Sequence, residues 1–425
     1  MSEDKTYDFL IVGAGLAGLH TALRLLKKYP SKSICICEAY FYKGGRVVTH
    51  FPKRFPGVQW ENGAGRIHSS HTMVLDYIEK YNLTTLAIDD KVSWISSDSE
   101  VKTLQKDIWP GLASYLVTSL QTLPPKQLQL YTVFQLLEQL IGKTRAHRLL
   151  AHFPYRAETF LLRADLALLS LHNEMGTNQG YFCVKEGLSS LIAHMVSDLE
   201  ERGVEFRLGH KLLSVNAFDA YFQVSDEERK YYKTIAAKKI ILALHSSALQ
   251  KITPFTRHPI LKKLLMAPLL RTYAIFPVIG GKCWFSDLGK IVTNSPIRYF
   301  IPINPAKGIV MISYTDFKDT TQWTSILHEK GEYALEKAIL KEIRKLFPSI
   351  KIPTPIFFKA HEWSDGCTYW LPGLYDPHEL SEKMMKPFPS RFPNLYCCGE
   401  SFSVGLQAWM EGALQNAESL VEKYL

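Results

Sequence analysis

The sequence predicts an α/β protein. Its main sheet is assembled from separated stretches of chain and joined to a second domain, part helical and part mixed sheet. Three observations predict this. A strand, a glycine-rich turn, a helix, a strand and an acid follow one another at the N-terminus. Apolar strands recur in mid-chain after a mainly helical stretch. The last forty residues return to a buried strand, a loop and a helix.

The N-terminal series begins with the apolar run YDFLIV, Tyr7 to Val12, which leads directly into GAGLAG. Gly13, Gly15 and Gly18 therefore take the G-x-G-x-x-G spacing. The helical pattern HTALRLLKKY follows, and a second apolar strand, SICIC, ends at Glu38, twenty positions past Gly18. Each part has a physical task. The first glycine permits a tight turn, the second lets backbone approach a pyrophosphate, and the third lets the helix pack close to the strand. Leu16 and Ala17 lie between the glycines at the helix N-terminus, which faces the phosphates, and Glu38 takes ribose hydroxyls. In this order the parts predict a Rossmann-like fold of the glutathione-reductase type and an ADP-containing dinucleotide.

The stretch EAYFYKGGRVVTH places Gly44, Gly45 and Arg46 a few residues beyond the ribose acid. It resembles the GGR segment of the flavin-containing amine oxidoreductase superfamily, which selects FAD over NAD. The resemblance implies that the glycines allow close approach to the diphosphate and that Arg46 supplies fixed positive charge near the flavin.

Composition bounds the remaining classes. A length of 425 residues suits two or three domains, and 46% apolar with 21% charged content describes a globular chain with a large core. No stretch approaches the ~18 consecutive apolar residues of a membrane span. The start, MSEDKTYDFL, is polar and enters a strand at once, unlike a signal peptide, so a cytoplasmic, reducing location is expected. The seven cysteines are odd in number and irregularly spaced. Cys35, Cys37, Cys397 and Cys398 read as core residues of strands, and no metal site is expected. The net charge of +9 comes from scattered basic residues such as Lys143, Arg145, Lys238 and Lys262. Many lie beside acids and no nucleic-acid module accompanies them, so solvated faces are expected rather than a nucleic-acid partner.

The chain divides discontinuously. Residues 1–70, 179–259 and 386–425 are assigned to the FAD-binding domain. Residues 71–178, with patterns such as LYTVFQLLEQLI, form a helical part of the substrate domain. Residues 260–385 carry strand patterns (RTYAIFPVI, RYFIPI, GIVMISYT) and the helical EYALEKAILKEIRKLF, which suits a mixed-sheet substrate domain. The family resemblance implies that backbone near Leu212 lies by the adenine.

The C-terminal NLYCCGESFSVGLQAWMEGALQNAESLVEKYL resembles the family's closing motif, a strand running into Gly-Glu and then an aromatic-Met-Glu-Gly-Ala helix. The resemblance implies that Gly399, Glu400, Trp409 and Met410 bind FAD. Glu400 is expected at the ribityl or phosphate region. The helix start is expected at the pyrimidine side of the isoalloxazine, where its positive end favours charge developing on reduction. Trp409 is expected to show a flat face beside the flavin. The family usually has Gly before the aromatic; this chain has Ala408.

The substrate side is read from three further segments. ENGAGRIHSSH resembles the family's motif on the active-site side of the flavin, with Gly63, Ala64, Gly65 and Arg66 as cofactor contacts. Arg66 falls where L-amino-acid oxidases grip a substrate carboxylate, a task that suits a guanidinium. His68 falls where some polyamine oxidases place an active-site histidine. A flavin-contacting or solvent-facing Arg66 and a packed His68 remain open alternatives. HEWSDGCTYWLPGLYD resembles one wall of the substrate cage, so Tyr369 or Trp370, opposite Trp409, is expected to sandwich the amine. Monoamine oxidases bond flavin to a cysteine in a setting similar to Cys367. The spacing here is shorter, which favours non-covalent FAD and leaves the covalent link open. In LLRTYAIFP, Arg271 stands where many relatives carry a water-holding lysine.

The resemblance implies hydride transfer from an amine or amino acid to flavin N5, with dioxygen reduced to hydrogen peroxide. Alternatives are a monooxygenase or desaturase on the same scaffold, or a non-enzymatic FAD-stabilised binding protein.

Overall fold

A computed structural model describes residues 5–89, 91–95, 108–151, 153, 155–172, 180–226 and 229–425. The expected boundary between residues 178 and 179 lies outside the described residues.

The nucleotide sheet is built from distant segments. Glu205–Arg207, Ile34–Cys37, Tyr7–Val12 and the end of Lys230–Leu242 lie side by side in parallel, followed by Leu395–Cys397. The earlier part of Lys230–Leu242 bends away and pairs antiparallel with Asp219–Ser225, which pairs with His210–Val215. Both faces of the parallel part are covered, so its strands are apolar throughout instead of alternating with polar residues. Phe9, Ile11, Ile34, Ile36 and Ile241 join the helices Leu16–Lys28, Leu188–Glu201 and Met410–Tyr424 in one core cluster. Leu10, Val12, Cys35, Cys37 and Leu242 face the other way, into a core shared with Leu136, Leu162, Leu264 and Ala267. Each fully buried Leu or Ile contributes roughly 1.5–3 kcal/mol. The four expected core cysteines are buried.

The second sheet runs in the order Phe357–Trp370, Leu264–Ile275, Ile309–Asp316, Tyr299–Asn304, Lys290–Thr293 and Val92–Ile95. All pairs are antiparallel except the last, which is parallel. Val92–Ile95 comes from the stretch read as mostly helical; four residues are too few to show a period against helical neighbours. Leu335, Ile339 and Ile343 of the helix Thr321–Leu346 cover this sheet beside Leu270 and Ala274. The helix is broken at Gly331 (φ 80°, ψ 176°), so the helix expected over EYALEKAILKEIRKLF is its second half. Leu136, Leu150, Leu162 and Leu166 of the stretch of short helices join the core that holds Leu10 and Leu264. Among the described residues no helix is long and apolar enough to cross a membrane.

Candidate active site

One cavity of about 1090 Å³ runs from the glycine turn to the second sheet. It exceeds the ~300–1,000 Å³ of a typical small-molecule site, leaving room for a dinucleotide and a small substrate. Its wall contains Gly13, Gly15, Leu16, Ala17, Glu38, Gly44, Gly45, Arg46, Gly63, Ala64, Gly65, Arg66, Leu212, Arg271, Cys367, Tyr369, Gly399, Glu400, Trp409 and Met410. Gly18, His68 and Trp370 are not in the wall.

The nucleotide end is shaped by close backbone packing. A Cβ on Gly18 would lie 2.0 Å from the Gly13 carbonyl oxygen, so the helix Leu16–Lys28 sits on the turn as only glycine permits. A Cβ on Gly15 would meet only Gly45 Cα, at 4.0 Å, so open space lies before the helix start. Gly15 caps that helix without a side-chain bond, leaving its N–H groups for an anion. Glu38 is buried; its Oε2 accepts from the Ala14 N–H at 2.8 Å and its Oε1 from the Tyr40 N–H at 3.0 Å. Burial raises its pKa. Three buried polar atoms of wall residues lack a protein partner among the described residues: Asn62 Oδ1, Glu158 Oε2 and Arg271 Nε. Open space at the phosphate position, a buried ribose acid and unused polar atoms further in fit FAD.

The closing loop is tied to the GGR loop. Arg46 donates from Nη2 to Glu400 Oε2 at 3.0 Å and from Nη1 to the Gly366 carbonyl at 2.6 Å. Glu400 Oε1 accepts from the N–H groups of Thr368 (3.1 Å) and Ala408 (2.7 Å), and Oε2 also accepts from Thr368 Oγ1 (3.1 Å). All four bonds go to protein, so the carboxylate's capacity is largely used and its role is to position the loop. His245, also in the wall, is held neutral: burial and then the Arg46 charge lower its pKa to about 4. Glu411 is buried and accepts from the N–H groups of Met73 and Val74, capping the helix Thr72–Lys80 whose N-cap has no side-chain bond of its own.

Elsewhere in the wall, Trp409 caps the helix Met410–Tyr424 and stacks on Tyr181 (centroids 6.0 Å, 20°). The Arg66 guanidinium lies 4.8 Å from the Tyr181 ring centre, 5.8 Å from Trp409 and 5.9 Å from Tyr155. Its Nη2 donates to the Tyr155 hydroxyl at 2.8 Å. Among the described residues no carboxylate pairs with Arg66. Burial would lower its pKa, but the hydroxyls of Tyr155, Tyr181 and Tyr299 outweigh that and raise it.

Tyr369 and Trp370 are neighbours on one strand and point to opposite faces. Tyr369 enters the cavity and donates to Glu158 Oε1 at 3.0 Å. Trp370 turns into the core, fully buried, with Nε1 donating to the Ser403 carbonyl at 2.9 Å. The expected wall role of Trp370 is thereby corrected. His68 is also displaced: Nδ1 bonds to Ser70 Oγ at 2.8 Å, and its ring packs edge-on to Tyr181 at 5.0 Å, behind the cavity wall. Cys367 lines the cavity as a neutral thiol, since burial and the nearby Glu400 charge push its pKa up to about 12.

Arg271 reaches the cavity from the second sheet. Nη1 donates to the Glu61 carbonyl at 3.3 Å, and the guanidinium lies 5.3 Å over Tyr314. The Glu61 carboxyl, accepting from the Leu188 N–H at 2.8 Å, is raised to about 6 by burial. Glu158, on the short helix Arg156–Phe160, is a wall residue that the sequence reading missed. Burial and then the Asp316 charge raise it to about 8. Its only sequence signal is an isolated acid in the apolar stretch AETFLL.

The description "Flavin containing amine oxidoreductase" matches residues 16–422. Among solved structures, a putrescine oxidase variant made to redesign cofactor binding superposes with a TM-score of 0.73 at 14% identity, covering 99% of this chain and 98% of its own. Wild-type putrescine oxidase bound to putrescine gives 0.72 at 14%, covering 98% of each chain. A protein of Exiguobacterium sp. 255-15, provisionally described as a protoporphyrinogen oxidase, gives 0.72 at 16%, covering 99% of each. At such identities the likeness is one of fold. No curated protein matches the sequence significantly. The family match itself extends from the first helix to the last, and the chain belongs to the flavin-containing amine oxidoreductases, as an enzyme whose cofactor is FAD.

Proposed function

We propose that the protein oxidises the C–N bond of an α-amino acid, with an amine lacking the carboxylate as a poorer substrate. The observation that carries this reading is Arg66, a cation with no carboxylate partner among the described residues, set between Tyr155, Tyr181 and Trp409 in the cavity wall. A guanidinium in partly desolvated surroundings binds a carboxylate by two parallel charge-assisted hydrogen bonds. The bound FAD supplies a hydride acceptor. The chain supplies position: Arg66 holds the carboxylate, and Tyr369 and Trp409 present rings that confine the substrate and exclude water. The positive end of the helix Met410–Tyr424 stabilises negative charge beside its first turn. The substrate loses a hydride from the α-carbon and a proton from nitrogen. The imine is hydrolysed to keto acid and ammonia, and dioxygen takes the electrons to give hydrogen peroxide.

The test is anaerobic bleaching of the bound flavin by a panel of amino acids, monoamines and polyamines, followed by assays for peroxide and keto acid. Bleaching by one or more amino acids, faster than by their decarboxylated amines, is expected. Bleaching by amines alone removes the carboxylate reading. Carbon dioxide and an amide in place of keto acid make the enzyme a monooxygenase.

A further inference from the structure

Glu158 and Tyr155 are three positions apart at the start of one short helix, so both side chains reach the same part of the cavity. Tyr155 accepts from Arg66. Glu158 is about nine-tenths buried, and its two oxygens differ. Oε1 accepts from the Tyr369 hydroxyl at 3.0 Å, while Oε2 has no partner among the described residues. A buried carboxyl oxygen without a donor carries the proton or awaits a ligand.

We propose that Glu158 serves the cavity as a neutral acid, its Oε2–H donating to the anionic end of a substrate held by Arg66, and that loss of this proton ejects the anion by compensating the Arg66 charge. This rests on the reading that Arg66 receives a carboxylate.

The surrounding groups support a neutral Glu158. Burial acts first against its ionised form, and the carboxylate of Asp316 acts second. Asp316 is itself held by the N–H groups of Arg156 (3.2 Å) and Ala157 (3.0 Å) on the Glu158 helix. Arg156 and Arg298 are paired with Asp319 at 2.9 and 3.2 Å. Tyr369 and Tyr314 face Glu158 with hydroxyls raised well above their ordinary range, and Cys367 faces it as a thiol at about 12; all stay neutral where Glu158 titrates. Asp316, at about 6, has already ionised there. Arg66 favours ionisation of Glu158 but is the weaker influence. A carboxyl raised to about 8 is neutral below that pH and ionised above it. Below pH 8 the Arg66 charge is therefore uncompensated and an anion is attracted. Above it, the pair is neutral and an anion meets a second carboxylate. A bound anion raises Glu158 further, so binding near pH 8.5 takes up a proton.

The experiment titrates FAD-loaded protein with benzoate, following the flavin absorbance, between pH 6.5 and pH 10, with benzamide as the uncharged control. In the wild type the benzoate Kd should be flat below pH 8 and rise above it towards about tenfold per pH unit. Benzamide should show no such rise. E158Q keeps a donor but cannot ionise, so its benzoate Kd should stay flat across the whole pH range. A flat wild-type profile, or a rise that persists in E158Q, overturns the proposal. Calorimetry of the wild type in buffers of different ionisation enthalpy gives a second readout independent of any variant: about one proton taken up near pH 8.5 supports the proposal and none overturns it. Arg66→Met separates the two readings. If it binds benzoate as tightly as wild type, the carboxylate reading fails; if it loses benzoate while the wild-type profile is flat, only the role of Glu158 fails.

Discussion

Arg46 and Glu400 form an ion pair at 3.0 Å that joins the loop after the second strand to the loop before the last helix, 354 positions later in the chain. The same carboxylate also holds Thr368 of the second sheet, so one side chain fastens three segments around the cavity. Removing one partner of such a pair strands the other charge. Glu400→Ala should cost on the order of 3–5 kcal/mol in urea unfolding of the apoprotein and lower the FAD:protein ratio. Glu400→Gln, which keeps one acceptor, should lose less. Wild-type unfolding and full flavin content in Glu400→Ala would show that the bridge fastens nothing.

Ala408 presents a separate strain. Its φ is +69°, in the left-handed region, and its N–H donates to Glu400 Oε1 at 2.7 Å. A residue with a Cβ pays roughly 1–2 kcal/mol there. Glycine avoids this but gives back roughly 0.4–1 kcal/mol through greater freedom of the unfolded chain. Ala408→Gly should therefore raise stability by about 0.5–1 kcal/mol, read as a shift in the urea midpoint at constant slope. A lower midpoint would mean that the Ala408 methyl makes contacts outweighing the strain.

These two positions show what was legible in the sequence. Gly13, Gly15, Gly18 and Glu38 stood out because their tasks are local: each is set by backbone a few residues away, and spacing records that. Ala408 stood out only by departing from the family's glycine. Glu158 left almost no trace, because its partners Tyr369 and Asp316 come from other segments and its isolated burial appears only once the helix is docked. Tyr369 and Trp370 could have been separated in advance, since adjacent residues on a strand cannot share a face. The motif marks the position of Glu400, but its Arg46 and Thr368 bonds depend on packing between segments far apart in the chain.

For Arg66, the expected signature is selective damage. Arg66→Ala should impair turnover of an amino acid more than tenfold relative to its decarboxylated amine, since a lost charge-assisted pair costs roughly 2–5 kcal/mol. Steady-state kinetics on the two substrates, with FAD content as control, measures this. Equal losses on both would assign Arg66 to the packing of Tyr155, Tyr181 and Trp409.

Cys367 bears on how the flavin is held. A thiol raised to about 12 is protonated at neutral pH and is a poor nucleophile. Acid precipitation should release all the flavin into the supernatant. Flavin that remains with the pellet in wild type, but is freed in Cys367→Ser, would establish a covalent bond instead.

The final expectation concerns Arg271. Its guanidinium lies over Tyr314, Nη1 bonds to the Glu61 carbonyl, and Nε is buried with no partner among the described residues. The group lines the cavity as a permanent cation with one donor unused. A cation in a partly desolvated wall favours negative charge on whatever lies opposite, so it should assist the flavin when it gains electrons. Arg271→Met should slow flavin reduction by substrate, reoxidation by dioxygen, or both, at unchanged FAD content. Arg271→Lys should retain part of each rate, because the charge remains and a donor is kept. Stopped-flow measurement of the two half-reactions decides between this role and a structural one. If Arg271→Met leaves both rates unchanged while lowering stability, the side chain serves only to brace Glu61 and Tyr314.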